Sequence, residues 1–187
     1  MVVVCFGLRP TPDALFRAPL NQGVKFCMES WMPDLELAPL QGLGPLRFGD
    51  YRATAREKLS KLGFGLESSH GASDYFCDAA IQVEYSADNS VWFVGLSASD
   101  RFRAWFQGRD IFSLTAEEVF LLLAASEGAG EYTYNCQEYF FPKQVLTLWD
   151  ADEQYDRKGN ETRPFWGQIG IGSSSYAAAV ESVRSKI

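Results

Sequence analysis

The chain has 187 residues, 47% of them hydrophobic and 22% charged, with a formal net charge of −7. That length fits one globular domain, or one with an appendage, able to bury roughly 70% of its unfolded surface without a covalent staple. The acidic balance argues against nucleic acid, whose phosphates need a basic patch, and it suits a basic protein partner or plain solubility.

Aromatic residues make up 14% of the chain, which reads first as a strand-rich core and second as a stacking surface. The four cysteines at 5, 27, 77 and 136 are widely spaced, with no CxxC pair, so they read as single thiols rather than zinc ligands. No apolar run approaches the roughly 20 residues that span a bilayer. Met1 to Leu8 is apolar but short and lacks a basic leader, so the expected location is the cytoplasm, with no membrane partner.

In chain order, residues 1–39 read as an irregular lead-in. Val2 to Val4 could form a short strand before Arg9-Pro10-Thr11-Pro12 breaks the chain. The segment opening at Met28 would serve as a start, so the residues before it are expected to be a non-native or alternative leader. Residues 40–187 are then expected to form a single α+β domain. Leu35 to Leu46, rich in Leu, Pro and Gly, reads as irregular. Asp50 is placed to cap a helix in which Tyr51, Ala55, Leu59 and Leu62 recur at helical spacing and which Gly63 ends. Gly65 to Gly71 is polar and small, hence a loop.

The strongest local pattern runs from Ile81 to Ala125. Ile81, Val83 and Tyr85 alternate with Gln82 and Glu84, a tight turn follows, and Val91 to Leu96 is apolar on both faces, as in a central strand. Phe102 and Ala104 alternate with arginines, Gln107-Gly108-Arg109 turns the chain, and Thr115 to Glu118 has capping-box spacing before a helix that Gly128 and Gly130 stop. Beyond it, Glu138 to Phe141 and Val145 to Trp149 read as a hairpin. Asp150 to Arg163 reads as a long polar loop, Phe165 to Ile171 as a strand, and Tyr176 to about Val183 as a final helix capped from Ser173 to Ser175. The predicted fold is α+β: a mainly antiparallel, twisted β-sheet of hairpins with two or three helices packed on it.

Sites that would carry chemistry are sparse. His70, the single histidine, lies in a loop with Ser68, Ser69 and Asp74 close in sequence, whereas triads converge from distant segments, so no catalytic residue is assigned. Asp150, Asp152, Gln154, Asp156 and Glu161 approach calcium-loop spacing, but Tyr155 stands where that loop needs glycine, so no metal or cofactor is expected. Gly167, Gly170 and Gly172 fit no phosphate-binding fingerprint and read as turn and bulge glycines. Glu117 and Glu118 fit capping and the helix dipole better than a catalytic pair.

Several motifs stand in an order with a parallel elsewhere. Leu46-Arg47-Phe48-Gly49 enters a helix closing on Leu62-Gly63. The strand Ile81-Gln-Val-Glu-Tyr85 precedes Val91-Trp-Phe-Val94, and Gln107-Gly108-Arg109-Asp110-Ile111-Phe112 leads into Ala116-Glu117-Glu118-Val119. Val145 to Trp149 and Phe165-Trp-Gly-Gln-Ile169 with Tyr176 complete the series. Over about residues 40–180 it resembles small bacterial proteins that accompany polymorphic or secreted toxins and act as their immunity proteins. The helix after Gly49 is about a turn longer than in that group, which shares no catalytic residues to carry over. The resemblance implies a non-enzymatic binding protein that neutralises a toxin by direct contact. Asp150, Asp152, Glu153 and Asp156 are then the candidate partner-binding residues, facing a basic toxin domain. The alternative class is a small hydrolase-like enzyme with a pocket between sheet and helix.

Overall fold

A computed structural model describes residues 32–128, 132–151 and 154–184. The expectations for Val2 to Val4, for a start at Met28 and for Cys5 and Cys27 lie outside the described residues. Two strands open the described chain, β1 (Asp34–Ala38) and β2 (Gly42–Leu43), followed by helix α1 (Arg52–Lys61). Four more follow as β3 (Leu66–His70), β4 (Ser73–Phe76), β5 (Ile81–Tyr85) and β6 (Val91–Leu96). Then come β7 (Arg103–Phe106), β8 (Arg109–Asp110), a 3-10 turn at Ile111–Ser113 and helix α2 (Ala116–Glu127). The last third holds β9 (Thr133–Asn135), β10 (Glu138–Phe141), β11 (Leu146–Trp149), β12 (Tyr155–Lys158), β13 (Glu161–Pro164), β14 (Gln168–Gly172) and helix α3 (Ser174–Arg184).

The fold is α+β with a sheet-dominated core, as its sequence pattern predicts. An eight-stranded antiparallel sheet runs β3-β4-β5-β6-β14-β11-β10-β9. The register sorts its side chains cleanly, because successive residues point to opposite faces. Val83, Val94, Ile171 and Leu146 are cross-strand neighbours on one face, and Ile81, Leu96, Ile169 and Leu148 form the next row. All eight are at most 1% exposed, so this is the core face. Helices α1 and α2 meet it, through Arg56 on Asp74 and Phe120 on Tyr139 and Phe141.

Helix α3 covers part of the opposite face by a close approach. Tyr176 stacks on Phe93 with ring centroids 4.5 Å apart. Gly170 makes room beneath: a Cβ there would come within 2.3 Å of the Phe93 ring and the Thr147 hydroxyl. The glycines read as turn and bulge residues therefore sit, at 170 and 172, inside a central strand, where they admit aromatic rings.

The elements defined by local pattern stand close to where the sequence puts them. Strand β6 is fourth of eight in its sheet. The capping box of α2 is complete: Glu118 N donates to Thr115 Oγ1 at 3.3 Å and Thr115 N to Glu118 Oε2 at 2.8 Å. Asp50 is different. Tyr51 occupies the N-cap position of α1 without a side-chain cap, while the Asp50 carboxylate accepts from Arg47 N and Lys58 Nζ, each at 2.7 Å.

Three stretches depart from expectation. Leu35 to Leu46 holds β1 and β2, and Leu35 and Leu37 are core residues. Strand β1 pairs in parallel with β7, so the Ile81–Ala125 region divides between two sheets and β7 belongs to the four-stranded β2-β1-β7-β8 sheet. The polar stretch after Gly65 forms β3, an edge strand whose residues are mostly exposed on both faces and so lack an apolar alternation. The long polar loop folds on itself as the β12–β13 hairpin, a separate two-stranded ribbon.

Among the described residues no helix is long and apolar enough to cross a membrane.

Candidate functional site

Helix α2, strand β10 and the β12–β13 hairpin border an open hollow of about 340 Å³. Phe120 and Ala116 come from α2, Tyr139 from β10, Tyr155 and Pro164 from the hairpin, and Trp166 from the approach to β14. Strand alternation explains the hairpin's part, since Tyr155 and Pro164 are cross-strand partners and share a face. The rings stand steeply to one another: Phe120 and Tyr139 at 64° with centroids 4.9 Å apart, Tyr139 and Trp166 at 81° and 5.8 Å. Such an arrangement walls a hollow instead of paving a flat platform. Trp166 is fixed by its indole N–H, which donates to the Ala116 carbonyl at 2.9 Å. Around the rim Tyr132, Tyr134 and Tyr155 are 42–60% exposed.

The acidic residues divide around this hollow. Asp150 lines a smaller adjoining recess of about 120 Å³ with Tyr134, Gln137, Tyr139 and Trp166. Asp156 lies on the other face of the hairpin and lines a separate recess of about 580 Å³ with Ser97, Ser99, Asp100 and Phe165. Its carboxylate accepts from Arg157 N at 2.7 Å and lies 3.4 Å from Arg163 Nη2. Asp152 and Glu153 lie outside the described residues. Asp150 and Asp156, expected together on one exposed loop, thus face different hollows. Glu117 joins the aromatic hollow from the first turn of α2.

The most densely connected polar cluster lies elsewhere, under α1. Asp74 is fully buried and accepts from Arg52 Nη2 at 2.6 Å, from Arg56 Nε at 2.8 Å and, by a short contact, from the Ser69 hydroxyl. Burial alone would raise the Asp74 carboxyl; the hydrogen bonds from Arg56, Arg52 and Ser69 outweigh it and hold it well below the usual carboxylate range. Burial, reinforced by the Asp74 charge, pushes the neighbouring Tyr85 phenol well above its ordinary range. The Arg52 guanidinium lies 4.8 Å from the centre of the Tyr85 ring. Each carboxylate oxygen is saturated by donors, so this cluster pins α1 to the sheet and has no free base to offer.

His70 does not join it. Ser69 and Asp74 are cross-strand partners on the core side of β3 and β4, and His70, one residue on, points the other way to meet Tyr75 at 5.8 Å. Ser69, His70 and Asp74 therefore form no relay. Among the described residues no three His, Cys, Asp or Glu side chains are grouped so as to hold a metal ion. Cys77 is buried and Cys136 exposed, both as free thiols.

The hollow's aromatic residues were hidden in sequence because an aromatic-rich chain reads as core. Tyr132, Tyr134 and Tyr139 fall within eight positions, the first two between polar neighbours, and are the local signal that could have marked them. No protein-family model matches this chain, nor does any curated protein or solved structure.

Proposed function

We propose that this chain is a non-enzymatic binding protein of the bacterial cytoplasm, an immunity protein that neutralises a basic toxin domain by direct contact. The observation that supports this most is the aromatic hollow with its rim of exposed tyrosines, set in a chain of net charge −7. Tyrosine and tryptophan give large contact area at low entropic cost and dominate the energetics of protein interfaces. An acidic surface steers a basic partner and speeds the encounter.

A small hydrolase-like enzyme would use the same hollow, which lies between helix and sheet. Among the described residues its lining supplies one carboxylate and two phenols, Glu117, Tyr139 and Tyr155, and no serine, cysteine or histidine to pair as nucleophile and base. The binding reading is therefore preferred.

The test is co-expression with the product of the adjacent reading frame. The proposal expects a toxic product whose growth defect this chain relieves through a stable complex. A product that is harmless, or toxic with and without this chain, would overturn it.

A further inference from the structure

We infer that the aromatic hollow receives one cationic side chain, a lysine or arginine of the protein partner, seated between the rings and against Glu117. This rests on the binding-protein reading and specifies the partner's chemistry at the same site.

The first support is geometric. Phe120, Tyr139, Tyr155 and Trp166 wall a space of about 340 Å³, enough for one long side chain. An alkyl stem gains from burial against rings, and an ammonium or guanidinium gains from their negative faces.

The second support is charge. Among the described residues, Glu117 makes no hydrogen bond or salt bridge, and no lysine or arginine lines this hollow or the Asp150 recess beside it. The hairpin's own Arg163 is turned to the opposite face, donating to the Phe112 and Leu114 carbonyls at 2.6 Å each. Arg157 shares the Tyr155 face but stands two residues nearer the tip, about 7 Å away along the strand, and does not line the hollow. A neutral apolar side chain would fill the same space without the attraction that the exposed Glu117 carboxylate adds for a cation, and that difference gives the hollow its preference.

The test uses the isotopically labelled full chain titrated with acetyl-Gly-Lys-Gly-amide, acetyl-Gly-Arg-Gly-amide and, as neutral isostere, acetyl-Gly-norleucine-Gly-amide. The readout is the indole N–H signal of Trp166. Trp149 serves as internal control, because it pairs with Glu138 on the opposite face of the sheet from Tyr139. The expected result is saturable, about millimolar binding of the cationic peptides that moves Trp166 and leaves Trp149 in place. Glu117→Gln should weaken it by about fivefold to tenfold, and Tyr155→Ala by a similar factor.

Equal binding of the norleucine peptide, no saturable shift at Trp166, or unchanged affinity in both variants would overturn the inference. A toxin complex that forms and protects equally well with Glu117→Gln and Tyr155→Ala would overturn it while leaving the immunity reading intact. Selective cation binding without any neutralised toxin would do the reverse.

Discussion

The Arg163 guanidinium donates to the Leu114 carbonyl oxygen across 2.6 Å, tying the β12–β13 hairpin to the residue just before the cap of α2. A second donor of the same group reaches the Phe112 carbonyl, also at 2.6 Å. One side chain, 12% exposed, thereby fixes the distance between the two elements that bound the aromatic hollow. Arg163→Met should cost about 1.5–3 kcal/mol, the range for hydrogen bonds to a charged group. Denaturant midpoints would measure the loss, and amide exchange should show faster opening confined to the hairpin. Unchanged exchange there would mean the ribbon is held by other contacts.

Asp74 should set the acid limit of the fold. Its folded-state carboxyl titrates below the unfolded one, so unfolding takes up a proton between the two values. Its contribution is complete above about pH 4, the unfolded value, and is lost as pH falls from there toward the depressed folded value. Asp74→Asn should destabilise by about 1.5–3 kcal/mol at neutral pH, because two guanidiniums that keep partial access to water lose their charged acceptor. The gap between wild type and variant should narrow below about pH 4. A gap constant from neutral pH into that range would show that the carboxylate's charge is not what matters.

Gly170 is a packing position. Gly170→Ala drives a methyl against Phe93 and Thr147, and overpacking of this kind costs about 1–3 kcal/mol. The near-ultraviolet circular dichroism of the Phe93–Tyr176 stack should change with it. Wild-type stability in the variant would show that the sheet yields there at no cost.

Cys77, Asp78 and Ala79 have consecutive φ values of 59°, 55° and 60°, a left-handed turn built without glycine. Its successive amides form a nest filled by one carboxylate: Asp78 N and Ala79 N donate to Glu67 at 2.7 and 3.0 Å. Those amides hold the Glu67 carboxyl below its ordinary range. Ala79→Gly should raise stability by about 0.5–1 kcal/mol by relieving the steric conflict, and Glu67→Ala should lower it. A thermal shift of opposite sign in either variant would contradict the nest's role.

Local signals were legible in the sequence and long-range ones were not. Strand β6 and the Thr115 capping box depend on residues within a few positions of one another, so composition and spacing reveal them. Strand β3 escaped because an edge strand exposed on both faces carries no alternation. The parallel pairing of β1 with β7 joins Asp34 to Arg103, a relationship no local pattern encodes. The site divides in the same way. The acidity of the 150–156 stretch is plain in sequence, but the face that Asp156 takes depends on the hairpin register that sets Asp156 beside Arg163 and Tyr155 beside Pro164. The hollow draws residues from 116 to 166, and only the folded chain brings Phe120, Tyr139 and Trp166 together.

Partner affinity against salt concentration is the most direct measurement, made by calorimetry on the wild type and on the quadruple variant Asp150→Asn, Asp152→Asn, Glu153→Gln, Asp156→Asn. The expected result is weaker binding in the variant with a shallower salt dependence, because the removed charges steer and hold a basic partner. Identical affinity and identical salt slope in the two proteins would contradict the steering of a basic partner by the acids of the 150–156 stretch.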